Sequence, residues 1–279
     1  MPTATVNGVR LFYALSGDGP PLVLIHGSWG DHVAWDLVVP ALAQRFRVLT
    51  YDRRGHSQSE RPSTKGSTEE DAGDLAALIE HLGLAPAHLA GLSSGGSLAL
   101  RLAARRPEIV RSVAAHEPGL FGLFADDPDQ GTLMREALGR FEAVVTHLAA
   151  GDVEDGTRQF METVVFGPGA WEIIPPERRQ VLMSNAPTFL DEMRDPGSWT
   201  ADLAALAAIP CPILLTHGGE SFPFWQDVVA KLAAVLPQAQ MRVIPGAGHN
   251  AHGTHPEAYV AAITAFLAAA DTAATSGKF

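Results

Sequence analysis

The chain has 279 residues, a formal net charge of −11 and a hydrophobic fraction of 46%. This length suits one large domain, or one domain with an insertion, and the apolar content argues against disorder. The negative charge disfavours nucleic-acid binding, and no apolar run approaches the roughly 18 residues that a membrane helix needs. The N-terminal segment lacks the layout of a signal peptide, and the single Cys211 excludes internal disulfides and a cysteine-rich zinc site. We expect a cytoplasmic globular protein, monomeric or homodimeric.

Short apolar runs recur along the chain, bounded by Gly, Pro or Asp. The first two flank Asn7 and Gly8, a pair typical of a hairpin turn. Later runs are nearly continuously apolar, which favours strands covered on both faces of a parallel sheet; they span 21–27, 46–52, 87–93, 109–117, 211–219 and 239–246. Helix-period segments lie between them, at 31–44, 68–82, 94–106, 222–236 and 256–270. This alternation predicts an open α/β sheet.

The alternation stops between Glu117 and Ile209, a stretch far too long for a plain crossover. Its pattern is mostly helical, with helices expected at 131–150, 153–165 and 176–194. We interpret residues 119–204 as a helical lid inserted into a core domain of residues 1–118 and 205–270, with 271–279 as a frayed tail. The bulky lid side chains form either the core of the lid itself or the wall of an apolar substrate pocket.

A G-x-S-x-G motif, Gly91-Leu92-Ser93-Ser94-Gly95, lies between a strand run and a helix run. A sharp strand-to-helix turn strains its central serine, so close neighbours must lack side chains. The turn places Ser93 Oγ at a helix N-terminus, where the helix dipole and free N–H groups favour developing negative charge. The motif predicts Ser93 as a nucleophile and the Ser94 N–H as an oxyanion donor; the alternative is an ordinary turn.

Through this motif, the sequence resembles the α/β-hydrolase superfamily of serine hydrolases. Four more segments fit it: the oxyanion loop His26-Gly27-Ser28-Trp29-Gly30, the turn Tyr51-Asp52-Arg53-Arg54-Gly55-His56-Ser57 with His56 as a variant position, the histidine loop Gly246-Ala247-Gly248-His249, and the closing helix that starts His255-Pro256-Glu257. The resemblance covers residues 5–120 and 205–270 well, and the lid only in type. It implies a mostly parallel eight-stranded sheet with helices on both faces and an inserted helical lid.

The resemblance implies a triad, in which His249 is the base that accepts the proton of Ser93. The acid has two candidates. In most relatives an Asp follows the next-to-last strand, but here that position holds Ser221, and Glu220 lies one residue early. Some relatives carry their acid one strand earlier, where Glu117 stands, and a lone glutamate at an apolar strand end is costly without a partner. We favour Glu117 and keep Glu220 as the alternative.

The remaining candidate site residues are the oxyanion donors and the residues that would bind the substrate. The oxyanion donors are expected to be the backbone N–H groups of Ser28 and Ser94, with His26 bracing the oxyanion loop. Four aromatic residues are candidates for substrate binding, namely Trp29, Phe121, Trp171 and Trp199. His249, His252 and His255 invite a metal interpretation, but no acidic or cysteine partners cluster beside them in the sequence, so we expect no metal. The chemistry needs no cofactor.

These observations predict a serine hydrolase that cleaves a small-molecule carboxylic ester or lactone through an acyl-enzyme. A serine at position 93 argues against a haloalkane dehalogenase or an ordinary epoxide hydrolase, which need an aspartate there. The Ser-Ser-Gly turn, the His116-Glu117 pair and the His249 loop look most similar to the zearalenone-hydrolysing lactonases, which hints at a bulky substrate. A C–C bond hydrolase, an amidase and a cofactor-free perhydrolase remain alternatives on the same triad, as does a non-enzymatic small-molecule receptor.

Overall fold

A computed structural model describes residues 2–63, 66–124, 131–200 and 202–275. Eight strands form one sheet in the order β1-β2-β4-β3-β5-β6-β7-β8. They are β1 (Thr3–Val6), β2 (Val9–Ser16), β3 (Pro21–Ile25), β4 (Arg47–Tyr51), β5 (Ala87–Leu92), β6 (Val110–His116), β7 (Ile213–Gly218) and β8 (Ala239–Ile244). β2 pairs antiparallel with β1 and β4, and the other neighbours pair in parallel. The predicted fold class is confirmed.

Helices flank the sheet and fill the long interval between β6 and β7. They are α1 (Val39–Leu42), α2 (Thr68–His81), α3 (Ser94–Arg105), α4 (Gly131–Ala150), α5 (Val153–Phe160), α6 (Ala170–Ile173), α7 (Pro176–Arg194), α8 (Leu203–Ala207), α9 (Pro223–Val235), α10 (Ala251–Thr254) and α11 (Pro256–Thr275). No helix in the described ranges is long and apolar enough to cross a membrane.

The central strands are apolar on both faces because a hydrophobic cluster lies on each side of the sheet. In β3, Val23 and Ile25 face the cluster that contains α2, α3 and α9 side chains, whereas Leu22 and Leu24 face the cluster that contains α11 side chains. Successive strand residues point to opposite faces, so a strand covered on both sides needs an apolar residue at every position. This arrangement explains the continuous apolar runs in the sequence.

The structure differs from the predictions for one helix and for the C-terminal tail. The segment expected to be one helix over 31–44 is a 3₁₀ turn, His32–Trp35, followed by the short α1. Pro40 is the second residue of α1, and a proline in the middle of a longer helix would clash with the carbonyl four residues earlier. The tail predicted as frayed is helical through Thr275, and Asp271 within it accepts hydrogen bonds from His88 and Arg111. Residues 276–279 lie outside the described ranges.

The predicted lid is helical at the expected places. α4 and α7 span the predicted segments, and α5 continues as a π-helical turn over Met161–Val165, closed by a hydrogen bond from the Phe166 N–H to the Met161 carbonyl. Buried side chains from these helices belong to the same hydrophobic cluster as one face of the sheet. The lid therefore shares its core with the sheet. Its exact boundaries at 119 and 204 stay predictions.

Candidate active site

The turn between β5 and α3 holds Ser93 in a strained backbone conformation, with φ 54° and ψ −123°. A side chain on Gly91 would lie 2.3 Å from the Gly95 carbonyl oxygen, and one on Gly95 would lie 2.3 Å from the Ile25 carbonyl oxygen. Both motif positions therefore require glycine. Ser94 is the first residue of α3, so its N–H has no acceptor within the helix and is free to bind an anion.

The oxyanion loop packs directly on this turn. A side chain on Gly27 would lie 3.2 Å from Ser93 Cβ, and Ser28 Oγ lies 3.2 Å from Ser94 Oγ. His26 braces the loop, since its Nδ1 is 2.8 Å from the Gly27 carbonyl oxygen and its Nε2 accepts from the Arg53 N–H at 3.0 Å. Burial, and then the Arg53 charge, lower the pKa of His26 to about 4, which keeps the ring neutral. The structure thus brings Ser28 and Ser94 side by side.

The Glu117 carboxylate lies against His249. Its Oε2 is 2.6 Å from His249 Nδ1, and its Oε1 accepts from the Gly218 N–H at 2.7 Å and from Ser221 Oγ at 2.5 Å. Glu117 has a φ of 45° and is fully buried. Because an ionised carboxylate can only accept, Nδ1 of His249 carries the proton and donates it to Glu117, and Nε2 is the nitrogen left to act as a base.

Glu117 stays ionised despite its burial. Burial alone would raise its pKa, but His116, His249 and the Ser221 hydrogen bond together lower the pKa to about 2. Burial also lowers the pKa of His116 to about 4, so that ring is neutral near pH 7. At neutral pH the hydrogen bonds from His249, Ser221 and Gly218 therefore hold the carboxylate in its charged form.

Glu220, the alternative acid, lies elsewhere. Its side chain is exposed, while its backbone N–H donates to the Ala247 carbonyl at 2.8 Å. Ser221 stands at the position where the resemblance would have placed an Asp, and its hydroxyl donates to the Glu117 carboxylate instead. Of the two candidates, the structure brings only Glu117 to His249.

Trp225 on α9 supports His249 and was missed from the sequence. The two rings stack with centroids 4.1 Å apart and planes 10° apart. The Trp225 indole N–H donates to the Val164 carbonyl in the π-helical turn at 3.4 Å. The histidine ring is thus held between Glu117 at its edge and Trp225 on its face. The apolar segment around position 225 showed only helical periodicity, which gave no sign of this contact.

Two cavities meet at Ser93. The outer cavity, of about 460 Å³, is lined by Ser93 and His249 together with apolar lid residues such as Met161 and Leu182. The inner cavity, of about 30 Å³, is lined by Ser93, Ser94 and Ser28. Its wall also carries six aromatic side chains, namely Phe121, Phe141, Phe160, Phe189, Trp199 and Trp225.

The four aromatic residues predicted to bind substrate fall into two groups. Phe121 and Trp199 line the inner cavity. Trp29 is fully buried behind Phe160, with ring centroids 4.0 Å apart, and Trp171 is buried beneath the Arg179 guanidinium. Trp29 and Trp171 line neither of these two cavities within the described ranges, because they pack inside the hydrophobic core instead.

A buried polar cluster closes one end of the inner cavity and was also missed from the sequence. Arg53, from the turn after β4, donates to Asp71 of α2, to Ser94 Oγ at 2.9 Å and to Glu192 of α7 at 2.9 Å. The other Glu192 oxygen accepts from Ser28 Oγ at 2.5 Å. Glu192 and Arg53 are 139 residues apart in the chain, and no local pattern marks such a pairing.

His252 and His255, which with His249 suggested a metal site in the sequence, make separate contacts in the structure. The His252 ring lies 4.4 Å from Trp35 and 5.9 Å from Tyr259 between ring centroids, and His255 Nδ1 lies 3.0 Å from Thr254 Oγ1. Among the described residues, no group of three or more His, Cys, Asp or Glu side chains could hold a metal ion.

Comparisons with known proteins show the family to which the chain belongs. The Alpha/beta hydrolase family matches residues 22–262. The chain is 30% identical to the sn-1-specific diacylglycerol lipase ABHD11 of Mus musculus, over 91% of this chain and 83% of that protein. It is 31% identical to the 2-hydroxymuconate semialdehyde hydrolase of Pseudomonas sp. (strain CF600), over 96% and 94%. A thermophilic esterase from Thermogutta terrifontis superposes with a TM-score of 0.74 at 25% identity, over 96% and 97%.

Proposed function

Because this chain belongs to the alpha/beta hydrolase family, we propose that it is a serine hydrolase that cleaves a carboxylic ester or a lactone through an acyl-enzyme on Ser93. One observation carries the proposal. Gly218 and Ser221 hold the Glu117 carboxylate, which holds His249, and His249 lines the same cavity as the strained Ser93.

The residues divide the reaction among them. His249 Nε2 takes the proton of Ser93 Oγ as the oxygen attacks the substrate carbonyl, and Glu117 stabilises the imidazolium that forms. The Ser28 and Ser94 N–H groups donate to the oxyanion of the tetrahedral intermediate. His249 then protonates the leaving alkoxide, and a water molecule, deprotonated by His249, attacks the acyl-enzyme to release the acid and restore Ser93.

The outer cavity suits an apolar substrate portion, since Phe160, Met161, Val165 and Leu182 line it beside Ser93. The diacylglycerol lipase relative supports ester chemistry, because a diacylglycerol is an ester. The second candidate is cleavage of a carbon–carbon bond on the same residues. This second candidate is favoured by the similarity to the 2-hydroxymuconate semialdehyde hydrolase, because the compound in that enzyme's name contains no ester.

A substrate panel tests the proposal. Purified protein is assayed with p-nitrophenyl esters, with aliphatic lactones and with 2-hydroxymuconate semialdehyde, beside Ser93→Ala as the control. We expect turnover of esters or lactones that is lost in Ser93→Ala. Turnover of the semialdehyde alone would replace the proposal with C–C hydrolysis, and ester turnover that survives in Ser93→Ala would refute the nucleophile.

A further inference from the structure

The inner cavity is too small for an acyl chain as it stands. Its volume of about 30 Å³ has room for roughly one or two water molecules. The side chain that closes its polar end is Glu192, which comes from the lid, whereas the groups that bind it, Arg53 and Ser28, come from the core domain. Displacement of Glu192 would therefore open the polar end of this cavity to a substrate group.

The groups that bind Glu192, Arg53 and Ser28, could bind another carboxylate in its place. Asp71 accepts from Arg53 at Nε and at Nη2, and the Arg53 side chain is only 5% exposed. Asp71 alone thus neutralises and orients the buried guanidinium, and Glu192 adds a second carboxylate beyond what neutrality needs. Arg53 also donates to Ser94 Oγ next to the nucleophile, so its charge points towards the reaction centre.

Space for the displaced side chain lies on the far side of the cluster. A third cavity, of about 260 Å³, shares Arg53, Thr68 and Glu192 with the inner cavity. If Glu192 rotated into this space, the Arg53 Nη2 group and the Ser28 hydroxyl would each lose a carboxylate acceptor in an aromatic pocket beside Ser93, while Arg53 would keep its bonds to Asp71 and Ser94. Buried donors of this kind favour a ligand that supplies acceptors in the same place.

We propose that the Arg53 and Ser28 donors at the end of the inner cavity form a carboxylate subsite, which Glu192 fills in the free protein and which a carboxylate on the acyl part of the substrate fills during turnover. The preferred substrates are then half-esters of dicarboxylic acids, or lactones that carry a carboxylate on the acyl side. This inference rests on the proposed ester hydrolysis at Ser93 and adds to it the charge of the substrate.

The test compares two esters of similar length, mono-p-nitrophenyl glutarate and p-nitrophenyl valerate. The quantity of interest is the ratio of kcat/KM for the anionic ester to kcat/KM for the neutral one. We expect Glu192→Ala to raise this ratio at least about tenfold, because the competing carboxylate is gone. Arg53→Met should lower it at least about tenfold relative to wild type, because the charged donor is lost. Glu177→Ala, an exposed α7 carboxylate, is the matched control and should leave the ratio unchanged.

A second measurement does not depend on the folding of Arg53→Met. Free glutarate is tested as an inhibitor of p-nitrophenyl valerate hydrolysis, with free valerate beside it. The glutarate inhibition constant should fall about tenfold in Glu192→Ala, while that of valerate should stay the same. The proposed subsite would be refuted if the ratio of the two kcat/KM values were the same in wild type, Glu192→Ala and Arg53→Met and glutarate inhibition were also unchanged. Failure of wild type to cleave these two esters and every ester and lactone of the substrate panel would instead overturn the proposed function.

Discussion

The choice of Glu117 over Glu220 as the acid leads to a sharp prediction for Glu117→Gln. Glu117 Oε1 accepts two hydrogen bonds, from the Gly218 N–H and the Ser221 hydroxyl, whereas Oε2 faces only His249 Nδ1. If the glutamine NH₂ group took the Oε1 position, it would face the Gly218 N–H and the Ser221 hydroxyl, which are donors themselves. Each buried donor left without an acceptor would cost about 1–3 kcal/mol. The amide oxygen should therefore keep the Oε1 position.

In that orientation the glutamine NH₂ group donates to His249 Nδ1. The imidazole must then carry its proton on Nε2, and Nε2 can no longer accept the proton of Ser93. We expect kcat to fall by about 10⁴ while the fold is kept, which is the order of loss known for the wrong histidine tautomer in a serine triad. The assay is kcat and KM for the best ester from the panel, with circular dichroism and thermal melting to confirm folding.

Glu220→Gln is the matched control, since Glu220 is exposed and contributes only its backbone to the loop. We expect its kcat to stay within about twofold of wild type. The reasoning is refuted if Glu117→Gln stays within tenfold of wild type, or if Glu220→Gln causes the large loss. A large loss in Glu220→Gln would move the acid to the position after β7, and two variants near wild type would show that neither glutamate is the acid.

The remaining predictions concern folding and pH. Gly95→Ala should destabilise the protein by about 3 kcal/mol, because its Cβ would press on the Ile25 backbone. Gly139→Ala, at an exposed α4 position where a Cβ meets nothing, should be neutral or stabilising by up to about 1 kcal/mol; urea unfolding compares the two, and equal effects would contradict the steric argument. Burial, and then His116 and His249, lower the pKa of His252 to about 3, so its contribution to stability is present above pH 6.5 and is lost as pH falls towards 3. His252→Phe should therefore flatten the dependence of unfolding free energy on pH across this window by up to about 1.4 kcal/mol per pH unit, and parallel curves for variant and wild type would show that His252 is not the group responsible.

The sheet could be predicted from the sequence because each strand carries its own signal. The runs that became β3 to β8 are bounded by turn residues, and most of them are apolar at nearly every position because both faces of the sheet are covered. The prediction of one helix over 31–44 was wrong because it relied on hydrophobic spacing and ignored Pro40. The proline ring clashes with the backbone of the preceding turn, which hydrophobic spacing does not report. The last helix runs past its predicted end at residue 270, and Asp271 in that part contacts His88 and Arg111, which are remote in sequence.

In the candidate site, too, the residues of local motifs could be predicted and those placed by long-range contacts could not. Ser93, Ser94 and the oxyanion loop belong to local motifs with fixed backbone geometry, so their positions could be predicted from short segments. Glu117 could only be ranked above Glu220, because the distance of either side chain to His249 depends on the packing of three strands. Trp225 and Glu192 belong to no motif, and the turn motif that contains Arg53 does not reveal its partners, since these contacts join α9, the turn after β4 and the lid.

Labelling with a fluorophosphonate tests the central claim, an activated serine at position 93, and it needs no knowledge of the substrate. The protein is treated with the probe, its intact mass is measured, and the modified peptide is mapped. We predict a single adduct on Ser93, no adduct in Ser93→Ala, and much slower labelling of Glu117→Gln. An adduct on another serine such as Ser94, or no adduct on the folded wild-type protein, would contradict the account.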